Sequence, residues 1–585
     1  MKAPHPATGT VTGFDPAIDD ASAGVEPALR LGAGETIAWD EQADVIVVGL
    51  GGAGVCAAIQ ASEDGGSVIA LERFGGGGST AVNGGIYYAG GGTAAQREAG
   101  VEDSPEEMFR YLREETQGVV SDELLRRFCD GSARDADWMA RHGVRFSGKL
   151  YPGKTSYPHT SYYLYHSDSS LAAPYRHKAR PAARGHRAFL PPTKSAEGYG
   201  AGLYFPLEAS AEKLGVQIMR RAEVVRLIVD GAGTVTGVEA EYLPPDGPHT
   251  ETYARLVRRS EFWTRLLPPA YPGAKLTRAR GARLMRKADL IERKARRRIR
   301  IGARRGVVLS TGGFIYNRDM IARYAPKYLS GMPQGTAGDT GAGMRLGQSV
   351  GGAVDLLEHC SAWRFLNPPA AWALGMLVDA RGSRFVNETH YGAAIGSEMV
   401  ERRGGVGWLI LDETLVKEAR AQVRHSETLP FQRYPALLAM RLGRRKARTL
   451  DALARKVGFD PAIFAETVKR YNAAAQGGAA DPFGKEGDEL HVLASGPFYA
   501  VDQSITAKYA PLPCMTLGGL KVSEDSGQVL NEEGRPISGL YAAGRTAVGI
   551  CSNLYVSGLA VADCVFSGRR AGRHAMRGLS DSLSG

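Results

Sequence analysis

The first 38 residues follow no hydrophobic period. Polar side chains mix with Ala, Gly and Pro, which predicts an arm laid over the surface or partly disordered. The pattern changes at Asp44-Val45-Ile46-Val47-Val48, a short continuous apolar run of the kind a strand buried on both faces shows. Val55 to Ser62 reads as the start of a helix, and Ser67 to Leu71 as a second buried strand that ends on Glu72. Residues 101–118 and 121–142 have helical periodicity, the first opened by Asp103-Ser104-Pro105 with Glu106 and Glu107 in its first turn. A helix at 207–215 leads into strands over 216–229 and 235–242, joined by a turn at Asp230-Gly231. Farther on come a helix-like run over 276–300, strands at 306–309 and 409–412, helices near 451–475, and a final helix over 558–574. Strands that alternate with helices from the start make this an α/β chain.

Between the first two strands stands Gly49-x-Gly51-x-x-Gly54, with Glu72 following Gly54 by 18 residues. A βαβ unit of this form holds a dinucleotide. Gly49 permits the tight turn, Gly51 lets the backbone approach the pyrophosphate, and Gly54 lets helix and strand pack closely. The helix N-terminus faces the phosphates, and Glu72 can bind a ribose hydroxyl pair, which favours FAD or NAD over NADP. The stretches after the acid, 75–80 and 83–92, are rich in Gly and small hydroxyl residues where an NAD domain would enter its next helix. Such a loop suits an extended flavin lying against bare backbone, so the expected cofactor is non-covalent FAD.

Composition adds limits. A chain of 585 residues, 43% hydrophobic and 23% charged, has the make-up of an ordinary globular protein with length for two domains. No apolar leader opens the sequence and no apolar run approaches the length of a membrane span, so a cytoplasmic location is expected. The six cysteines form no C-x-x-C pair, which argues against zinc, iron–sulfur and c-type haem sites. No nucleic-acid-binding module is evident.

Charge is unevenly placed. Residues 251–305 hold eighteen Lys and Arg against four Asp and Glu, although the whole chain nets only +10. Inside this segment lies an apolar cluster, Phe262, Trp263, Leu266, Leu267 and Tyr271. Lying between two strands, the region 244–305 reads as an insertion. Basic residues beside Trp, Phe and Leu suit a protein resting on an anionic membrane surface, here through 251–300 at the inner face. A subunit interface and a merely solvated helix are the alternatives. Residues 151–175, with six tyrosines and two histidines, read either as a surface loop or as a wall for a flat apolar substrate.

The stretch LERFGGGGSTAVNGGIYYAGGGT, with VVLSTGGF at 307–314, GLYAAGR at 539–545 and NLYVSGLAVADCVFSGRRAG at 553–572, resembles the FAD-dependent fumarate reductase/succinate dehydrogenase flavoprotein superfamily. Within it the sequence is most similar to the 3-ketosteroid dehydrogenases. The resemblance implies a Rossmann-like FAD-binding domain over 39–314 and 501–585, behind the arm 1–38, and a second α+β catalytic domain over 315–500. Its implied cofactor residues are Gly49, Gly51, Gly52, Ala53, Gly54, Glu72, Arg73, Gly78, Ser79, Thr80, Gly84, Gly85, Val224, Thr311, Gly312, Asp339, Gly544 and Leu559. The final helix would point its N-terminus at the flavin pyrimidine, where reduced flavin carries negative charge.

The resemblance is most informative where it breaks. Fumarate reductases hold a dicarboxylate with histidine and arginine, and their HHTMGG appears here as Cys514-Met515-Thr516-Leu517-Gly518-Gly519. Tyr555 stands where the carboxylate-binding arginine would be, Cys551 replaces a histidine, and Gly392 takes the place of the proton-donating arginine. These losses remove positive charge, so the expected ligand is a neutral apolar ketone. Tyr391, Tyr555 and Ser557 supply hydroxyls instead, and Tyr-x-Ser-Gly at 555–558 looks like that of 3-ketosteroid Δ4-(5α)-dehydrogenases. By this resemblance Tyr555 binds the C3 carbonyl, Ser557 is the base at C4, and Tyr391 relays the proton. Hydride passes from C5 to flavin, and an external electron acceptor, not identifiable from sequence, completes the cycle. The alternatives are Δ1-dehydrogenation, the reverse enone reduction, and a non-catalytic flavin-containing membrane-surface protein.

Overall fold

The computed structural model describes residues 24–190, 199–247, 249–267, 273–424 and 428–577. Tyr271 and residues 1–23 of the arm lie outside them. The order of elements is that of a nucleotide-binding sheet. Strand β1 (Glu41–Val48), helix α1 (Gly52–Glu63) and β2 (Val68–Glu72) form the βαβ unit, with Val45–Val48 of β1 in parallel register with Val68–Leu71 of β2. Strand β3 (Gln217–Arg220) pairs parallel to β2 at one edge. On the other side, β4 (Ala222–Val229) and β5 (Val235–Tyr242) form a meander. Residues 29–30 add a parallel edge strand to β4, and Val25 is buried, so this part of the arm is sewn to the sheet.

After β5 the chain leaves the sheet as an antiparallel helical hairpin, α2 (Thr250–Arg265) and α3 (Ala274–Ala295). Here the structure departs from the pattern reading. The helix ends at Ala295, and β6 runs over Arg297–Leu309, so 297–305 are sheet and not insertion. The reason is visible in the residues: Ile299, Ile301 and Ala303 alternate with arginines and face the core, a period of two hidden inside a basic run. The first half of β6 pairs with β5, from Gly237↔Gly302 to Tyr242↔Arg297. Its second half lies between β1 and β7 (Pro536–Ala542).

The region after β6 holds a separate four-stranded antiparallel sheet, built from residues 376–378, 408–411, 498–502 and 444–447. Helix α4 (Gly392–Arg402) and the helices over Glu413–Arg424, Pro430–Leu442, Leu450–Val457 and Pro461–Ala475 accompany it. The final helix α5 (Leu559–Arg577) returns to α1. Their approach depends on small residues: a Cβ on Gly568 would stand 2.3 Å from Ala53 O, and one on Gly572 2.3 Å from Ala57 O. That close crossing brings the start of α5 to the turn between β1 and α1. Residues 151–175 are not a surface loop; they include strands at 150–154 and 164–166, and residues 167–170 are fully buried.

Candidate active site

A cavity of about 1190 Å³ runs from the β1–α1 turn to Phe431 and Tyr434, two exposed aromatics on the helix Pro430–Leu442. A single small-molecule site is typically about 300–1,000 Å³, so this one has room for a cofactor and a substrate together. Of the residues implied for the cofactor, Gly49, Gly51, Gly52, Ala53, Glu72, Arg73, Gly78, Ser79, Thr80, Gly84, Val224, Thr311, Gly312, Asp339 and Gly544 line it. Gly54, Gly85 and Leu559 do not. Gly54 lies against the backbone of Gly49, Gly85 against Tyr199, and the residues of α5 that face the cavity are Ala560, Val561 and Cys564.

The cradle fits a dinucleotide. Gly49 has φ +91°, where a side chain would meet Ser310 O at 2.8 Å, while a Cβ on Gly51 would have nothing within 4 Å. The bare turn thus stands open to a phosphate. Glu72 is buried at the end of β2, accepting hydrogen bonds from Leu50 N at 3.0 Å and Phe74 N at 2.9 Å, and burial raises its pKa above the usual carboxylate value. Asp339 ties the cradle together. It accepts from Ser79 Oγ (2.5 Å), Thr336 N (2.9 Å), Gly313 N (3.1 Å) and Arg545 Nη2 (2.7 Å). Arg545 also lines the cavity, and its buried Nη1 has no partner among the described residues, a donor that a bound cofactor could use.

Tyr391, Tyr555 and Ser557 also line the cavity, together with Trp363, Phe365, Trp372 and Met515. Tyr391 is the N-cap residue of α4, and Ser557 lies two residues before α5. Trp363 stacks on Tyr555 with centroids 5.0 Å apart, and Phe365 meets Tyr391 edge-on at 5.6 Å. Gly558 N donates to the Tyr555 hydroxyl at 3.3 Å, and that hydroxyl's own hydrogen has no acceptor among the described residues. Burial pushes the Tyr555 phenol up to about 12 and the Tyr391 phenol well above its ordinary value, so both remain donors.

Sequence reading missed the piece that joins these residues. The Tyr165 hydroxyl donates to Ser557 Oγ at 3.0 Å, and the Tyr391 phenol lies near the same serine. Ser167 O accepts from Ser557 N at 3.2 Å, Ser167 Oγ donates to Ser557 O at 3.2 Å, and Ser169 Oγ accepts from Tyr391 N at 2.8 Å. The buried segment 165–169 therefore braces two of the three hydroxyl residues. Its only signal in the sequence was the crowd of tyrosines.

The wall is also less free of charge than the lost fumarate-clamp residues implied. Arg364, between Trp363 and Phe365, is buried without a carboxylate partner, and burial pulls its pKa down to about 10. Its Nη2 donates to Ser504 O at 3.2 Å, and the neighbouring Gln503, which lines the cavity, has both amide atoms unpartnered.

The FAD binding domain family matches residues 44–558. Over 542 residues the chain is 36% identical to the 3-oxo-5-alpha-steroid 4-dehydrogenase of Comamonas testosteroni, covering 89% of this chain and 96% of that one. It is 26% identical to the 3-oxosteroid 1-dehydrogenase of Mycolicibacterium smegmatis, over 88% and 94% of the two chains. The crystal structure of the 3-ketosteroid Δ4-(5α)-dehydrogenase from Rhodococcus jostii, in complex with 4-androstene-3,17-dione, superimposes with a TM-score of 0.77 at 29% identity, covering 94% of this chain and 99% of that one. The chain therefore belongs to the FAD-binding-domain family of the fumarate reductase/succinate dehydrogenase flavoprotein superfamily, within its 3-ketosteroid dehydrogenase branch.

Proposed function

We propose that the protein is an FAD-dependent 3-ketosteroid dehydrogenase that introduces the C4–C5 double bond. The reading is carried by Ser557 on the cavity wall, whose Oγ accepts from Tyr165 behind it and lies near Tyr391, beside a third phenol, Tyr555, whose hydrogen has no acceptor among the described residues. Tyr555 donates to the C3 carbonyl and withdraws electron density from it, which acidifies the C4–H bond. As Ser557 Oγ takes the C4 proton it passes its own hydroxyl proton to Tyr391, whose phenol proton moves on, and the hydrogen bond from Tyr165 stabilises the alkoxide character of Oγ during the exchange. FAD, when bound, supplies the two-electron acceptor for the hydride that leaves C5. The aromatic and sulfur side chains of Trp363, Phe365, Trp372 and Met515 offer a flat apolar substrate its contact area and keep water from the reacting carbons. In this scheme residues 315–500 form the catalytic domain, and the cavity-lining glycines, Glu72 and Asp339 hold the cofactor. An external acceptor reoxidises the enzyme.

The names of the relatives support the substrate class. The test is anaerobic mixing of the yellow protein with 5α-androstane-3,17-dione and, separately, with 4-androstene-3,17-dione. Bleaching of flavin absorbance by the saturated ketone alone is expected. Bleaching by the 4-ene would move the reaction to C1–C2, and no bleaching by either would remove the steroid assignment.

We further propose that the hairpin α2–α3 rests on an anionic membrane surface. No helix among the described residues is long and apolar enough to cross a membrane. The hairpin carries four exposed large apolar residues, Phe262 (58% exposed), Leu266 (44%), Leu276 (77%) and Leu290 (60%). Among the described residues no carboxylate lies within ion-pair distance of Arg255, Arg258, Arg259, Lys275, Arg278, Arg283, Arg286, Lys287, Arg293 or Lys294. The arginines of β6 differ: Arg298, Arg300 and Arg304 all face Asp or Glu. Free cations beside exposed apolar groups complement anionic lipid headgroups.

A further inference from the structure

We infer that the hairpin α2–α3 is part of the cofactor site and latches the adenosine half of FAD. The end of the cavity that takes this half is marked by Glu72 at the tip of β2. The next residue, Arg73, also lines the cavity, but its guanidinium is committed to neighbouring carboxylates. Nη1 and Nη2 donate to the two oxygens of Glu292 at 2.5 and 3.3 Å, and Nε lies 2.9 Å from Glu223. Glu292 belongs to α3 and is only 2% exposed, while Glu223 belongs to β4 and lines the cavity.

Arg296, just past the end of α3, closes the network, with Nη1 2.7 Å from Glu223 and 2.9 Å from Glu241 and Nη2 on Glu292. Tyr253 of α2, also buried, lies near Arg73. A second contact comes from the distal end of the same helix, where Leu267, two residues beyond α2, lines the cavity.

The hairpin therefore reaches the cofactor cavity from both of its ends, through ions at its base and an aliphatic side chain at its tip. It has a small core of its own, Leu243, Tyr253 and Ala288 packed with Val257, Met285 and Ile291. It can thus seat or lift as a unit, and Arg73 and Leu267 take their cavity positions only when it is seated.

The register of the sheet supplies the experiment. Tyr242 and Arg297 face each other in adjacent antiparallel strands, so 243–296 can be replaced by an Asn-Gly turn. The readouts are the FAD dissociation constant, from flavin fluorescence as apoprotein is titrated, and the melting temperature of the apoprotein. The excised chain is expected to bind FAD at least 10-fold more weakly. In the full chain, Leu267→Ser is expected to weaken FAD at least 3-fold with apoprotein melting unchanged, and Glu292→Gln to weaken it at least 3-fold beyond what its own fall in apoprotein melting accounts for. These two variants decide the question if the excised chain does not fold. An FAD affinity within 2-fold of the parent in both full-chain variants would overturn the latch, as would a fall in apoprotein melting that accounts for the whole loss of affinity.

Discussion

Ser557 in isolation is a poor base, since a free hydroxyl holds its proton far above any working pH. Its setting changes what it can do. Tyr165 and Tyr391 are both buried, and burial drives their phenols well above the ordinary value, so each keeps its proton, and Tyr165 donates toward Oγ. A donor aimed at that oxygen acts as an oxyanion hole acts on a carbonyl. Tyr165→Phe is therefore expected to lower kcat by about 10²-fold. The flavin spectrum should be unchanged, because Tyr165 does not line the cavity. A rate within 2-fold of the parent would mean that Tyr391 alone suffices. Behind the brace lies Glu115, whose pKa burial pushes up to about 7 and which accepts from Tyr111. A carboxyl raised in the folded state stabilises the fold below its ordinary pKa, and that contribution is lost as pH climbs through about 7. The gain in melting temperature from Glu115→Gln should accordingly be larger at high pH than at low pH, and an equal gain at both would show that the Glu115 carboxyl has the same pKa folded as unfolded.

At the scale of elements, the β1–α1 turn separates two kinds of glycine that look alike in sequence. A Cβ on Gly54 would stand 2.0 Å from Gly49 O, a backbone atom that cannot swing away. Gly54→Ala should cost about 1–3 kcal/mol of stability and lower the melting temperature even without cofactor. Gly51 has open space around its missing Cβ, so Gly51→Leu should leave apoprotein melting intact while its side chain occupies the pyrophosphate position. Purified Gly51→Leu protein that retains full FAD content would contradict this assignment. The nucleotide-binding unit was legible because glycine spacing, buried strands and the acid are all local signals. The hairpin–strand junction was not, because Arg298 and Arg300 look like more basic helix until their pairing with Glu26 and Glu239 is seen.

For the whole molecule, the local excess of positive charge divides in two. Arg298, Arg300 and Arg304 of β6 are paired with neighbouring carboxylates, whereas most cations of the hairpin have no carboxylate at ion-pair distance among the described residues. Each basic residue near an anionic surface contributes about 1 kcal/mol, so reversing four exposed ones should abolish binding that the parent shows. The chain carrying Arg259→Glu, Lys275→Glu, Arg278→Glu and Arg283→Glu is expected to stay in the supernatant when vesicles of phosphatidylcholine and phosphatidylglycerol are sedimented. The parent should pellet with them and be released by high salt. Parent protein that remains in the supernatant, or a reversed variant that still pellets, would remove the membrane reading.

The sequence by itself determined the βαβ unit and the flavin, because each rests on residue types at short, fixed spacing, and the exchange of a charged clamp for hydroxyls is what the family resemblance implied. Tertiary structure decided which residues meet across long separations. Tyr165 reaches Ser557, Asp339 joins Ser79 to Arg545, and Glu292 holds Arg73, contacts between segments hundreds of residues apart. No local period encodes such pairs. They follow from how sheet order, the crossing of α5 on α1 and the hairpin between β5 and β6 bring distant segments together, and the burial those elements impose keeps the phenols of Tyr165, Tyr391 and Tyr555 protonated.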